Sequence, residues 1–69
     1  MERTELKLFR IRQKMTQEQA AEKLEYSRGH YARFESGEAD MTLRFLNALQ
    51  TAFGISLEEA KELAKRDNE

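Results

Sequence analysis

The sequence predicts an all-α fold of five short helices. Three observations carry this. The chain of 69 residues contains no proline and few β-branched residues; Ala, Leu, Glu, Lys, Gln and Arg, which lose least on entering a helix, dominate it. Apolar residues recur at helical rather than strand spacing. A Ser or Thr stands ahead of each periodic segment, at Thr4, Thr16, Ser27, Thr42 and Ser56, and glycines follow two of them, at Gly37 and Gly54. Those are the start and stop signals of helices.

Taken in order, the first helix spans 4–13, capped by Thr4, with Leu6, Phe9 and Arg10 at i, i+3, i+4 and with Leu8 and Ile11 as a second apolar strip. Lys14 and Met15 connect it to the next, Met15 plugging the core. Thr16 caps a second helix, 17–24, and Gln19 completes a capping box. Its inner face is Ala20, Ala21 and Leu24. The pattern breaks at Glu25-Tyr26. Ser27 caps a third helix, 28–36, with Tyr31, Phe34 and Glu35 inward, and Gly37 supplies the positive φ that a helix C-terminus favours. Because Ala20 and Ala21 end at Cβ, another helix can cross close to them, and residues 16–37 read as a helix-turn-helix unit. After a loop at 38–41, Thr42 caps a fourth helix, 43–53, whose inward stripe is Leu43, Leu46, Leu49, Gln50 and Phe53, and Gly54 ends it. Ser56 caps a fifth, 57–66, with Glu58 and Glu59 in the first turn and Lys65 and Arg66 in the last, as the helix dipole favours. Residues 67–69 are expected to fray.

Composition narrows the function. The chain is one domain, 1–69 with a core at 4–66, and a chain this short buries only ~60% of its unfolded surface. It has no cysteine and one histidine, so no thiolate or histidine-cluster metal site is expected, and no cofactor or small-molecule ligand is evident. No apolar run approaches ~18 residues and no signal peptide opens the chain, so neither a membrane span nor export is expected. No nucleophile–base pair, metal cluster or phosphate-binding glycine loop is present, so the chain is not expected to be an enzyme. Net charge is −1. Residues 1–36 carry eight basic against six acidic side chains, and residues 37–69 four against seven. Sequence-independent affinity for DNA should therefore be low.

The ordered set Gln17, Ala21, Ser27, Glu35 and Gly37 resembles the helix-turn-helix of the Cro/CI-type (XRE-like) repressors of phages and bacteria. The resemblance extends to Leu6, Phe9 and Arg10 upstream and to 43–57 downstream. It implies a lambda-repressor-like five-helix domain, a cytoplasmic setting in bacteria or phage-infected cells, and a sequence-specific DNA-binding regulator that acts as a homodimer on a two-fold double-stranded operator.

On the helical wheel of residues 28–36, Gly29, Ala32 and Arg33 point away from the inward face, and Ser27, Arg28 and His30 lie at its exposed N-terminal end. The resemblance implies that Ser27, Arg28, Gly29, Ala32 and Arg33 read bases in the major groove, an arginine there favouring guanine. It also implies that Gln17, Arg10, His30 and Arg44 meet phosphates, the first at a helix N-terminus suited to anions. Arg10 and Glu35 are implied to form a structural ion pair between the first and third helices. Phe45, Ala52 and Leu57 are expected to form an apolar dimer contact. The chain departs from the family at Lys14 and Glu25, where glycine is usual. A non-glycine residue at positive φ costs about 1–2 kcal/mol, so either the turns relax or stability falls. It departs again at Glu38-Ala39-Asp40-Met41, where the family is basic and two carboxylates would repel phosphate. That acidic loop keeps an alternative in view, a protein-interaction module on the same fold, antitoxin-like or an anti-repressor partner.

Overall fold

The structure, a computed structural model, describes residues 1–68. Five helices follow one another: α1 (Thr4–Arg12), α2 (Gln17–Leu24), α3 (Arg28–Ser36), α4 (Leu43–Phe53) and α5 (Leu57–Ala64). No strand forms among the described residues. Four helix starts are capped as the sequence predicts. Thr16 Oγ1 accepts from Gln19 N–H while the Gln19 side chain accepts from Thr16 N–H, a complete capping box. Ser27, Thr42 and Ser56 accept from the N–H of His30, Phe45 and Glu59.

The start of α1 differs. Thr4 is the first helical residue rather than the cap, and Arg3, in the cap position, makes no side-chain cap. The acceptor comes from the far end of the chain: the Asp67 carboxylate takes Thr4 N–H at 2.9 Å and Thr4 Oγ1–H at 2.5 Å. Asp67 is therefore held in place rather than frayed, its own N–H donating to Glu2 O at 2.9 Å; of the three terminal residues expected to fray, Glu69 lies outside the described residues.

Lys14 and Glu25 both adopt left-handed φ, 58° and 63°. The turns do not relax, because each residue ends a helix through a six-residue closing bond, Met15 N–H to Arg10 O at 3.3 Å and Tyr26 N–H to Ala21 O at 2.8 Å. Gly37 and Gly54 supply the same geometry at φ 85° and 65°.

α2 packs on α3 and α4, α4 on α5, and α1 on α5 and α3. The core is Leu6, Ala20, Ala21, Leu24, Tyr31, Phe34, Phe45, Leu49, Ala60 and Leu63. α4 turns Leu46, Leu49 and Phe53 inward as expected and departs from its expected stripe at Leu43 and Phe45. Leu43 stands 70% exposed, and Phe45 is wholly buried (0%). On the wheel of LRFLNALQTAF, Leu43 falls on the exposed side with Arg44, Asn47 and Thr51, while Phe45 falls beside Leu49 and Ala52 and meets three aromatic rings. Phe34 lies 4.0 Å away between centroids, Tyr26 5.2 Å and Tyr31 6.1 Å. Burying a phenyl ring among rings gains more than burying Leu43. Leu8 and Ile11 likewise remain exposed, since the helices that pack on α1 meet its other side. Among the described residues no helix is long and apolar enough to cross a membrane.

Candidate nucleic-acid interface

α3 is held from beneath by Tyr31, Phe34 and Glu35, all buried. Its opposite face is open. Arg28 and Arg33 are exposed, Ala32 is half-buried, and a Cβ built on Gly29 would have no neighbour within 4 Å. Ser27, itself exposed, spends its hydroxyl oxygen on the cap. The five residues expected to read bases thus lie together on one helix and its cap.

Beneath them is a polar knot centred on Glu35. Arg10 Nε donates to Oε2 at 2.6 Å and Tyr31 Oη–H donates to the same oxygen at 2.6 Å. Gln17 Nε2–H donates to Oε1 at 3.1 Å. Arg10 Nη1 reaches on to Met15 O at 2.8 Å. Burial pushes the Glu35 carboxyl upward, but these three donors and the guanidinium charge outweigh it and hold it below the ordinary value. The bond to Glu35 raises Arg10 against its own desolvation. Burial, with the carboxylate beside it, drives the Tyr31 hydroxyl well above the usual phenol range. At neutral pH the knot is therefore a carboxylate, a guanidinium and a neutral phenol, joining α1, α2 and α3.

This arrangement commits two of the four residues expected at phosphates. The Arg10 guanidinium is largely spent on Glu35 and Met15, and the Gln17 amide turns inward. Arg10, Thr16, Gln17, Glu18 and Arg28 still line one open groove at the start of α2. The capping box takes up the N–H groups of Thr16 and Gln19 and leaves those of Gln17 and Glu18 facing that end. His30 packs as an aromatic, stacked on Phe34 at 4.9 Å and edge-on to Tyr26 at 5.0 Å. Arg44 is exposed at the start of α4, its guanidinium 4.8 Å above the Tyr26 ring.

Of the expected dimer residues, Phe45 is corrected: a side chain with no exposed surface contacts no second subunit. Ala52 is half-buried and Leu57 is 42% exposed.

Three features escape the sequence reading. Arg3 is only 1% exposed, and its guanidinium spans Ala64 O (2.6 Å), Phe34 O (2.7 Å) and Ala39 O (2.7 Å). It thereby satisfies carbonyls in the last turns of α5 and α3 at once. No local pattern marks it, because its partners lie 31, 36 and 61 positions away. Tyr31, by contrast, lies four residues before Glu35 on one helix face, a spacing that marks it as a partner. The third is Arg66, which donates to Asp40 Oδ1 at 2.8 Å. That bond and charge lower the Asp40 carboxyl. Glu38 stays close to Ser36, its N–H donating to Ser36 Oγ at 3.4 Å. One of the two loop carboxylates thus already has its counter-charge.

A model of the family described as helix-turn-helix domain matches residues 3–63. Comparison with curated proteins and with solved structures gave no match.

Proposed function

The chain belongs to the helix-turn-helix domain family, and from that premise we propose that it is a sequence-specific DNA-binding regulator of transcription, a repressor of the Cro/CI type. In this reading it is a binding protein with no catalytic step, acts in a cytoplasm, lays α3 in the major groove and binds a two-fold operator as a dimer. One observation carries the reading. The outer face of α3 is bare around Gly29 and Ala32 and flanked by the exposed Arg28 and Arg33. A helix needs such a face to enter a groove ~12 Å wide and place guanidinium groups on guanine edges. Arg28 and the groove at the start of α2 offer phosphate contacts beside it. The dimer contact rests on Leu57 with Ala52.

Selection from random duplexes tests this, and an enriched palindrome is the expected result. On that sequence Arg33→Ala should cost ~1–3 kcal/mol and relax preference at one base pair per half-site. Gly29→Leu should block entry by bulk and leave the fold intact, since nothing lies within 4 Å of the new Cβ. A pool in which no sequence is enriched overturns the proposal. The second reading, a protein-interaction module, has its support in the exposed Leu8 and Ile11, one turn apart on α1, and would then take its place.

A further inference from the structure

The family match ends at residue 63, yet the residues beyond it reach back across the molecule. Asp67 bonds the start of α1 through Thr4 and Glu2. That anchor lays Arg66 over the loop after α3, where Nε donates to Gly37 O at 2.9 Å and Nη2 to Ala39 O at 3.4 Å and to Asp40 Oδ1 at 2.8 Å. The Ala39 backbone is the pivot. Its carbonyl accepts from Arg3 and Arg66, and its N–H donates to Arg33 O at 3.0 Å. Ser36 Oγ lies 3.2 Å from the same Arg33 carbonyl, with Glu38 Oε1 as its alternative acceptor. The backbone of the proposed base-reading residue is thus tied, through one residue, to the chain's C-terminal segment.

We infer that Arg66 is a positioning residue for DNA reading: through Ala39 it fixes the last turn of α3 and hence the aim of Arg33. The inference rests on the proposed function and adds to it a control point outside the family match. A planar guanidinium suits the task because it can span two carbonyls and a carboxylate at once, which a lysine ammonium on its flexible stem does poorly. The contacts of residues 66 and 67 are mostly polar and near the surface, so they open at lower free energy than the core. Releasing them should loosen the 37–40 loop without unfolding the helices.

The test compares the full chain with Arg66→Lys and Arg66→Ala on the selected operator and on a scrambled duplex of the same composition. Arg66→Lys keeps the charge, so affinity for the scrambled duplex should hold while affinity for the operator falls about fivefold, the equivalent of one lost hydrogen bond. Arg66→Ala should show the same loss of discrimination with a further decrease of about twofold on both duplexes from the missing charge. A Lys variant that matches the wild type on both duplexes, or that loses the same factor on both, overturns the inference. A second readout needs no DNA. Amide exchange at Ala39 should quicken about fivefold in Arg66→Lys with Leu49 and Leu63 unchanged, and an unchanged Ala39 rate also overturns the positioning role. A wild type that discriminates between no duplexes overturns the DNA reading itself, and the Ala39 rate then tells the two failures apart.

Discussion

Glu35 is the residue on which the helix-turn-helix unit turns. It is 5% exposed and charged, and it accepts from donors on all three of the first helices. Removing one half of a buried pair strands the other, a loss of ~3–5 kcal/mol. Arg10→Met should therefore destabilise far more than Arg12→Met, which changes an exposed side chain and should stay within about 0.5 kcal/mol. Adding Glu35→Leu to Arg10→Met should recover much of the loss. Recovery should be incomplete, because the Tyr31 hydroxyl loses its acceptor, and Tyr31→Phe on the double variant should return more. Urea melts read all four, and small equal effects from Arg10→Met and Arg12→Met would show Arg10 to be a surface charge. The same knot sets an acid dependence. The folded Glu35 carboxyl lies below its ordinary value of 4.5, so below that pH the unfolded chain binds a proton that the folded chain refuses. Stability is then fully present above pH 4.5 and is lost as pH falls through the folded value. Glu35→Gln should flatten the fall of the urea midpoint as pH drops below 4.5. Asp40 and Asp67, lowered by bonds from Arg66 and Thr4 respectively, contribute with the same sign, so some slope should remain.

At the scale of the element, the helix ends decide the path of the chain, and the glycines divide by what surrounds them. Gly37 combines φ 85° with a neighbour: a Cβ there would lie 1.6 Å from the Met1 carbonyl oxygen. Gly37→Ala must therefore displace the N-terminal segment that leads into Arg3, and it should cost several times the ~1–2 kcal/mol of left-handed strain alone. Gly54→Ala, at φ 65° with open space around it, should cost only that strain. Gly29→Ala lies in the first turn of α3 with no neighbour and should stabilise by less than the ~0.5–1 kcal/mol of a helix interior. Thermal melts order the three, and a Gly37→Ala that behaves like Gly54→Ala would show that the N-terminal segment yields freely. Lys14 and Glu25 belong to the same set. Their left-handed φ is held by the closing bonds of α1 and α2 rather than by glycine, so the turn of the helix-turn-helix carries strain that the packing of α2 on α3 and α4 must offset.

At the scale of the whole molecule, the two terminal segments lock onto each other and onto the end of α3. Arg3 bonds α5, α3 and the loop after it, Asp67 caps α1, and Arg66 covers the loop. Association belongs to this scale too. With Phe45 in the core, the proposed dimer contact depends on Leu57 at the exposed start of α5. Leu57→Glu should give a folded monomer with much weaker operator binding. Sedimentation equilibrium with and without operator checks it, and a wild type that stays monomeric even on DNA would remove the two-fold model.

Local pattern suffices for the helices and for the unit they build. Helix bounds depend on caps, glycines and period, all local, and α2, α3 and α4 run over the expected residues while α1 and α5 end one and two residues early. The inward face of α3 is legible from Tyr31 and Phe34, three residues apart, with Glu35 beside them. On α4 the wheel itself sets Leu43 among Arg44, Asn47 and Thr51 and Phe45 beside Leu49, and the rings of Tyr26, Tyr31 and Phe34 hold Phe45 in the core. The pair of Arg10 and Glu35 was expected from resemblance, whereas its extension to Gln17 and Tyr31 needed three helices in place. Tertiary structure alone decided the fate of Arg3, Arg66 and Asp67. A charge near a chain end reads as solvated until folding brings carbonyls or an N–H from more than 25 positions away within 3 Å of it. Hydrogen bonds made across such separations leave no period in the sequence, because only the folded path sets the distance between their partners.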